Sequence, residues 1–193
     1  MSIQGKRRQS MLDREFEALR LRYRPTQIRV LFVAESRPTG GTFFYAANSH
    51  LVRYTEAAFR HAYGFAPLPL SEFLDAFKAT GCYLEDLCPE PVNQIKTHAL
   101  RRAAWKGGMA HLAKRLAGIS PLAIIAIHKG SEPYVRQTVE KAGLLNVLKP
   151  AIPFPSMGNH PRYIAGLSLL IQELREASIL PARFLPEGLQ FSS

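Results

Sequence analysis

Two short runs, residues 28–34 (IRVLFVA) and 122–127 (LAIIAI), are β-branched and almost wholly apolar. A strand with one wet face alternates polar and apolar side chains. A strand without alternation is covered on both faces, as in a parallel sheet flanked by helices. Residues 82–87 read as a further strand and 151–154 as a fourth, short one, while Pro89 and Pro91 forbid a regular central strand beyond the second. The intervening segments have helical periodicity or caps. A helix is expected over 9–23, with Met11, Phe16 and Leu19 as an apolar stripe and Pro25 beyond its end. Others are expected from Asn48 or Ser49 to about Tyr63, from Ser71 to Gly81, and over 96–117, 131–142 and 161–177. In the helix over 96–117, Leu100, Ala104, Leu112 and Leu116 are core candidates, and Gly107 and Gly108 are expected to weaken or bend it. Strands alternating with helices predict an α/β fold, a three-layer sandwich around a central, mainly parallel four-stranded sheet.

The chain has 193 residues, enough for one sizeable core, so 1–193 is read as a single domain. Within it, 1–24 form a basic N-terminal helix and 178–193 an irregular tail. An apolar share of 47% is too high for a disordered chain. No apolar run approaches the ~20 residues that span a bilayer. No apolar stretch of the secretory type follows Lys6, Arg7 and Arg8. A cytoplasmic protein without membrane contact, and a monomer, is therefore expected. The two cysteines, Cys82 and Cys88, have neither the number nor the spacing of a disulfide scaffold or a zinc site. They are read as reduced thiols, with no metal and no cofactor.

The formal charge is +10 and is unevenly spread. Residues 1–24 carry seven basic against three acidic side chains, and residues 96–115 carry six basic side chains and no acid. Such excesses favour a polyanionic partner, through attraction of phosphates and release of counterions. DNA or another nucleic acid is the expected partner, with Arg101, Arg102 and Lys106 as candidate backbone contacts.

In open α/β sheets, ligands bind outside the carboxyl ends of the strands. Three strand-end loops attract attention. In residues 35–48, Glu35 follows the first strand, Arg37 and Pro38 lead into Gly40 and Gly41, and Phe43, Phe44, Tyr45 and Asn48 follow. The glycines permit close approach of a ligand, and an aromatic face there can stack on a base. In 86–93, Glu85 or Asp86 could pair with a base edge or act as a general base, or simply cap a helix or pair with an arginine. In 154–161, Phe154, Ser156, Met157, Asn159 and His160 precede a helix N-terminus, with Met157 an apolar tip able to enter a base stack. Phosphate-loop, dinucleotide and G-x-S-x-G motifs are missing from the chain, so nucleoside-triphosphate, dinucleotide and serine-hydrolase chemistry are unsupported.

Val33-Ala34-Glu35-Ser36-Arg37-Pro38-Thr39-Gly40 resembles the first motif of the uracil-DNA glycosylase superfamily. Tyr83-Leu84-Glu85-Asp86-Leu87 resembles the strand whose Asn reads the base. Residues 124–130 resemble the next buried strand and its glycine, and Phe154-Pro155-Ser156 resembles the second motif, H-P-S. The resemblance spans about 28–176 in the family's order. It implies a uracil-DNA glycosylase-like fold and excision of uracil or another damaged base from DNA. Carried over, Glu35 positions or activates water, Phe44 or Tyr45 stacks on the base, and Asp86 or Asn48 reads its edge. Met157 or its neighbours extrude the nucleotide, and His160 or loop amides stabilise the departing base. The chain differs from the motifs at Ala34, at Asp86, which as a carboxylate only accepts, and at Phe154. Two cysteines exclude the iron–sulfur cluster of some members. Two other readings stay open: a non-catalytic nucleic-acid-binding domain on the same fold, and a hydrolase for a small nucleotide.

Overall fold

The computed structural model describes residues 3–184; side chains of residues 3–10 and of Leu12 lie outside the description, among them those of Lys6, Arg7 and Arg8. Strands β1 (Val30–Ala34), β2 (Cys82–Asp86) and β3 (Ala123–Ala126) form a parallel sheet in the order β2-β1-β3. Every strand residue is buried, as the apolar runs of β1 and β3 require, and in β2 this includes Glu85 and Asp86. The expected fourth strand over 151–154 is reduced to one parallel bridge, Ile127 with Ile152, and a separate bridge joins Ile124 to Leu148 before it. Pro150 and Pro153 flank Ile152 and lack the N–H groups a ladder would use. The sheet among the described residues is therefore three-stranded.

Among the described residues six α-helices surround it: α1 (Ile3–Arg22), α2 (His50–Tyr63), α3 (Leu70–Ala79), α4 (His98–Leu116), α5 (Glu132–Lys141) and α6 (His160–Glu176). Alternation along β1 sends Phe32 to one face, where its ring meets Phe77 of α3 at 5.3 Å and Phe59 of α2 at 6.4 Å. There α2 is bound to α6 by the Thr55–Tyr163 hydroxyl pair at 2.8 Å, and by the Ser168 hydroxyl donating to the Ala58 carbonyl at 3.0 Å. Glu35, with the opposite parity, reaches Trp105 of α4, whose ring also contacts Tyr134 of α5. Helices thus cover both faces, an α/β arrangement compatible with a three-layer sandwich.

The glycine pair does not interrupt α4, which runs unbroken from His98 to Leu116. A Cβ on Gly108 would stand 2.6 Å from the Leu87 carbonyl oxygen and 3.0 Å from Cys88 Sγ, whereas one on Gly107 would meet nothing. Gly108 is the point where α4 lies against the end of β2. Leu100 does not join the core, being exposed on the outer side of α4, and Met11 is likewise exposed on α1.

Helix α1 packs on the body through buried Phe16 and Arg20, and Tyr23 just past its end is buried too. Of the expected tail, Leu180 and Phe184 are buried, the latter against Phe59, Phe65 and Phe73, and 185–193 lie outside the described residues. Cys82 and Cys88 are free and buried, and burial pushes both thiols up to about 12. No helix among the described residues is long and apolar enough to cross a membrane.

Candidate functional site

The carboxyl ends of the three strands open into a crevice of about 530 Å³, within the range of small-molecule sites. Its walls come from all the strand-end loops: Glu35, Arg37 and Phe44 after β1, Asp86 and Asn93 after β2, His128 after β3, and Phe154, Ser156 and Met157 from the segment before α6. Backbone hydrogen bonds join the two segments just past the strands, with Leu87 N–H donating to the Ala34 carbonyl and Cys88 N–H to that of Glu35, both at 2.9 Å. The first two loops are tied together where the Ser36 hydroxyl accepts from Val92 N–H and Asn93 Oδ1 accepts from Thr39 N–H. Gly40 and Gly41, at φ 97° and 84°, make the reversal between Pro38 and the aromatic run.

Glu35 is gripped at the crevice floor. Oε1 accepts from Arg101 Nε at 2.7 Å and from Trp105 Nε1 at 2.6 Å, and Oε2 accepts from Arg101 Nη2 at 2.5 Å. A carboxylate offers about four lone-pair sites, so one direction on Oε2 stays open. Three donors hold this carboxylate rigidly, which suits it to orienting a water molecule and balancing positive charge beside it. Arg101, expected as a DNA-backbone contact, is here a partner of Glu35. Arg102 and Lys106, on the exposed side of α4, stay available to a polyanion.

Asp86 also lines the crevice, but Arg20 of α1 grips it and donates to Glu85 at 3.1 Å. The Glu85 carboxyl is raised above the usual carboxylate range by burial, against the pull of Arg20 and Arg115. Helix α1, expected as a basic N-terminal helix, supplies the counter-ion for β2. It also pairs Asp13 with Arg37, whose guanidinium lies over the Phe16 ring, and Glu17 with Arg115 at 2.8 and 2.9 Å.

The aromatic run divides. Phe43 and Phe44 line the crevice although both are nearly buried, whereas Tyr45 lies outside the lining, 1% exposed. Its hydroxyl accepts from Leu84 N–H at 2.6 Å and donates to the Leu84 carbonyl at 3.0 Å. Tyr45 therefore closes the outer edge of β2 and has no face for a base. Asn48 is exposed and does not line the crevice, and its Oδ1 accepts from Phe43 N–H at 2.8 Å. Ser49 is the N-cap of α2, accepting from Val52 N–H.

Phe154, Ser156 and Met157 come to the crevice together. Met157 is 99% exposed, at φ 51°, ahead of Gly158 at φ 82°. Neither Asn159 nor His160 lines the crevice. Asn159 precedes α6 without a side-chain cap bond, and the His160 ring stacks on Tyr54, which stacks in turn on His50.

The residue that the loop-by-loop reading passed over is His128, two positions past β3 and in the crevice wall. It stands directly after the apolar run 122–127, the same position that singled out Glu35 after β1. Among the described residues no group of three His, Cys, Asp or Glu converges as a metal site. A larger groove of about 840 Å³ between α4 and α5 is lined by Lys106, Gln137 and Lys141 with apolar neighbours, and has no carboxylate or imidazole to move a proton.

No family model and no curated protein matches this chain.

Proposed function

We propose that the protein is a DNA N-glycosylase that draws a damaged base, uracil or a related one, into the crevice and hydrolyses its bond to the sugar. The observation that carries this reading is the charge balance of the crevice. Each carboxylate and guanidinium in its wall is paired: Glu35 with Arg101, Asp86 with Arg20, Arg37 with Asp13. Such a wall offers little to a phosphate and suits a neutral heterocycle, with half-buried Phe154 for its face and polar groups for its edge. Uncompensated positive charge lies outside, on Arg102 and Lys106, where a DNA backbone would run. The apolar tip at Met157, free of the core, is suited to filling the space an extruded nucleotide leaves.

In the reaction the C1′–N bond breaks, its electron pair leaves with the base, and water oxygen bonds to C1′. Glu35 orients that water through its open lone pair and balances charge on the sugar ring. The water's proton passes to the departing base or to solvent. Incubation with duplexes containing uracil, hypoxanthine or xanthine tests the reading. Free base and an abasic strand from at least one duplex are expected. No abasic product from any of them, with folded protein, would sink it.

The same charge balance disfavours the small-nucleotide hydrolase, which must hold a phosphate. A binding-only domain predicts salt-dependent DNA affinity that survives Glu35→Ala and no base release by the unmutated protein.

A further inference from the structure

Three rings stack across the first turns of α2 and α6. His50 opens α2, Tyr54 follows one turn on, and His160 opens α6. Residues four apart share a helix face, so His50 and Tyr54 lie ring on ring, 6.2 Å between centroids and 18° apart in plane. His160 continues the ladder on Tyr54 at 5.2 Å and 15°. The packing beneath sets this register. Thr55, next to Tyr54, meets Tyr163, one turn past His160, through the 2.8 Å hydroxyl pair that joins the two helices. The rings themselves are not core: both imidazoles are exposed and Tyr54 is half-buried. His50 lines the crevice and His160 does not, so the ladder leads from the crevice wall outward.

Charge around the ladder is of one sign. Residues 36–55 and 141–172 contain no Asp or Glu. Arg53, beside Tyr54, and Arg162, two positions past His160, are exposed and form no ion pair among the described residues. Leu51 and Val52 of the same turn are buried, so this turn offers a protein partner little aliphatic surface. A ladder of exposed, nearly parallel rings suits a nucleobase, which stacks on any flat π-face. Unpaired guanidiniums beside it suit the phosphates that accompany a base.

We infer that the His50–Tyr54–His160 ladder is a second nucleobase site, outside the crevice, on which an unpaired base of a DNA strand stacks while Arg53 and Arg162 hold its flanking phosphates. The site goes beyond the glycosylase reading: it needs no bond broken and no base in the crevice.

Fluorescence anisotropy of the full chain at pH 8 measures affinity for an oligothymidylate of about 12 nucleotides and for an undamaged duplex. The expected result is single-strand affinity about tenfold weaker in Tyr54→Leu and in His160→Ala, retained in Tyr54→Phe, with duplex affinity unchanged in all three. Arg53→Ala and Arg162→Ala should each lower the single-strand slope of log affinity against log salt by about 0.7, and the ring variants should leave that slope alone. Oligodeoxyadenylate should shift the proton NMR signals of His50 or His160 upfield, as a base stacked on the ring does. His160→Ala removes an exposed side chain, so its unfolding midpoint should match the wild type, and it carries the test if Tyr54→Leu does not fold. Single-strand affinity unchanged in His160→Ala, or a loss equal on strand and duplex, would overturn the inference. So would a wild type that does not bind the strand, or imidazole signals that the oligonucleotide leaves in place. Base release from damaged duplexes enters none of these outcomes, so the ladder and the glycosylase reading can fail separately.

Discussion

Arg101 of α4 holds Glu35 at the end of β1 through two hydrogen bonds of 2.7 and 2.5 Å, and Trp105, one helical turn on, adds a third at 2.6 Å. The helix that looks in sequence like a basic DNA-facing surface therefore has two roles. Its inner side positions the carboxylate, and its outer side carries Arg102 and Lys106. Arg101→Ala leaves a nearly buried carboxylate with one donor, at a cost of about 1–3 kcal/mol. Urea unfolding of this variant is expected to show that loss, whereas Arg102→Ala leaves the midpoint unchanged and weakens DNA affinity. The slope of log affinity against log salt falls by about one with Arg102→Ala.

Tyr45→Phe removes the hydroxyl that serves both the N–H and the carbonyl of Leu84. Two buried polar groups lose their partner, so a destabilisation of about 1–3 kcal/mol is expected. Hydrogen exchange at the Leu84 amide should accelerate with it. A stable variant with an unchanged Leu84 rate would contradict the edge-closing role.

The adjacent glycines of α4 are expected to respond with opposite sign. Gly107→Ala meets nothing and gains helix propensity, up to about 1 kcal/mol. Gly108→Ala makes the same local gain but drives a Cβ into the Leu87 carbonyl, so α4 must shift away from β2. Denaturant midpoints of the two variants should lie on opposite sides of the wild type.

Sequence pattern sufficed for the strands because burial on both faces leaves no alternation to misread, and residues 28–34 and 122–127 contain β1 and β3. It did not suffice at 151–154, where apolar character suggested pairing that Pro150 and Pro153 limit to one bridge. Glu35 was legible from its position after a strand. Its partners Arg101 and Trp105 were not, because they stand 66 and 70 residues away and a +6 segment reads as surface. Tyr45 and Asn48 look like ligand groups in a list of residues. Only the fold shows that the edge of β2 and the Phe43 amide use them. Arg20 was hidden for a similar reason: nothing local in α1 predicts a buried guanidinium serving Glu85 and Asp86.

Acidification should destabilise the fold through two half-buried imidazoles. Burial lowers His111 and His128 below the usual 6.5, with Arg115 and Arg20 adding to the effect at His111. The unfolded chain then binds more protons than the folded one. Stability is full above about 6.5 and falls as pH drops from there toward the folded values. Glu85, raised by burial, slopes the other way at lower pH, because its folded form takes up a proton first. Urea midpoints between pH 7.5 and 5.5 should fall, and His111→Asn should flatten that fall.

Single-turnover base release by the wild type and by Glu35→Gln, on duplexes carrying uracil, hypoxanthine or xanthine, tests the account at its centre. Free base and an abasic strand are predicted from the wild type on at least one duplex. Release by Glu35→Gln is predicted to be slower by about 100-fold or more at similar duplex affinity. Folded wild-type protein that releases no base from any of the three, or a Glu35→Gln variant that releases it as fast, would contradict the account.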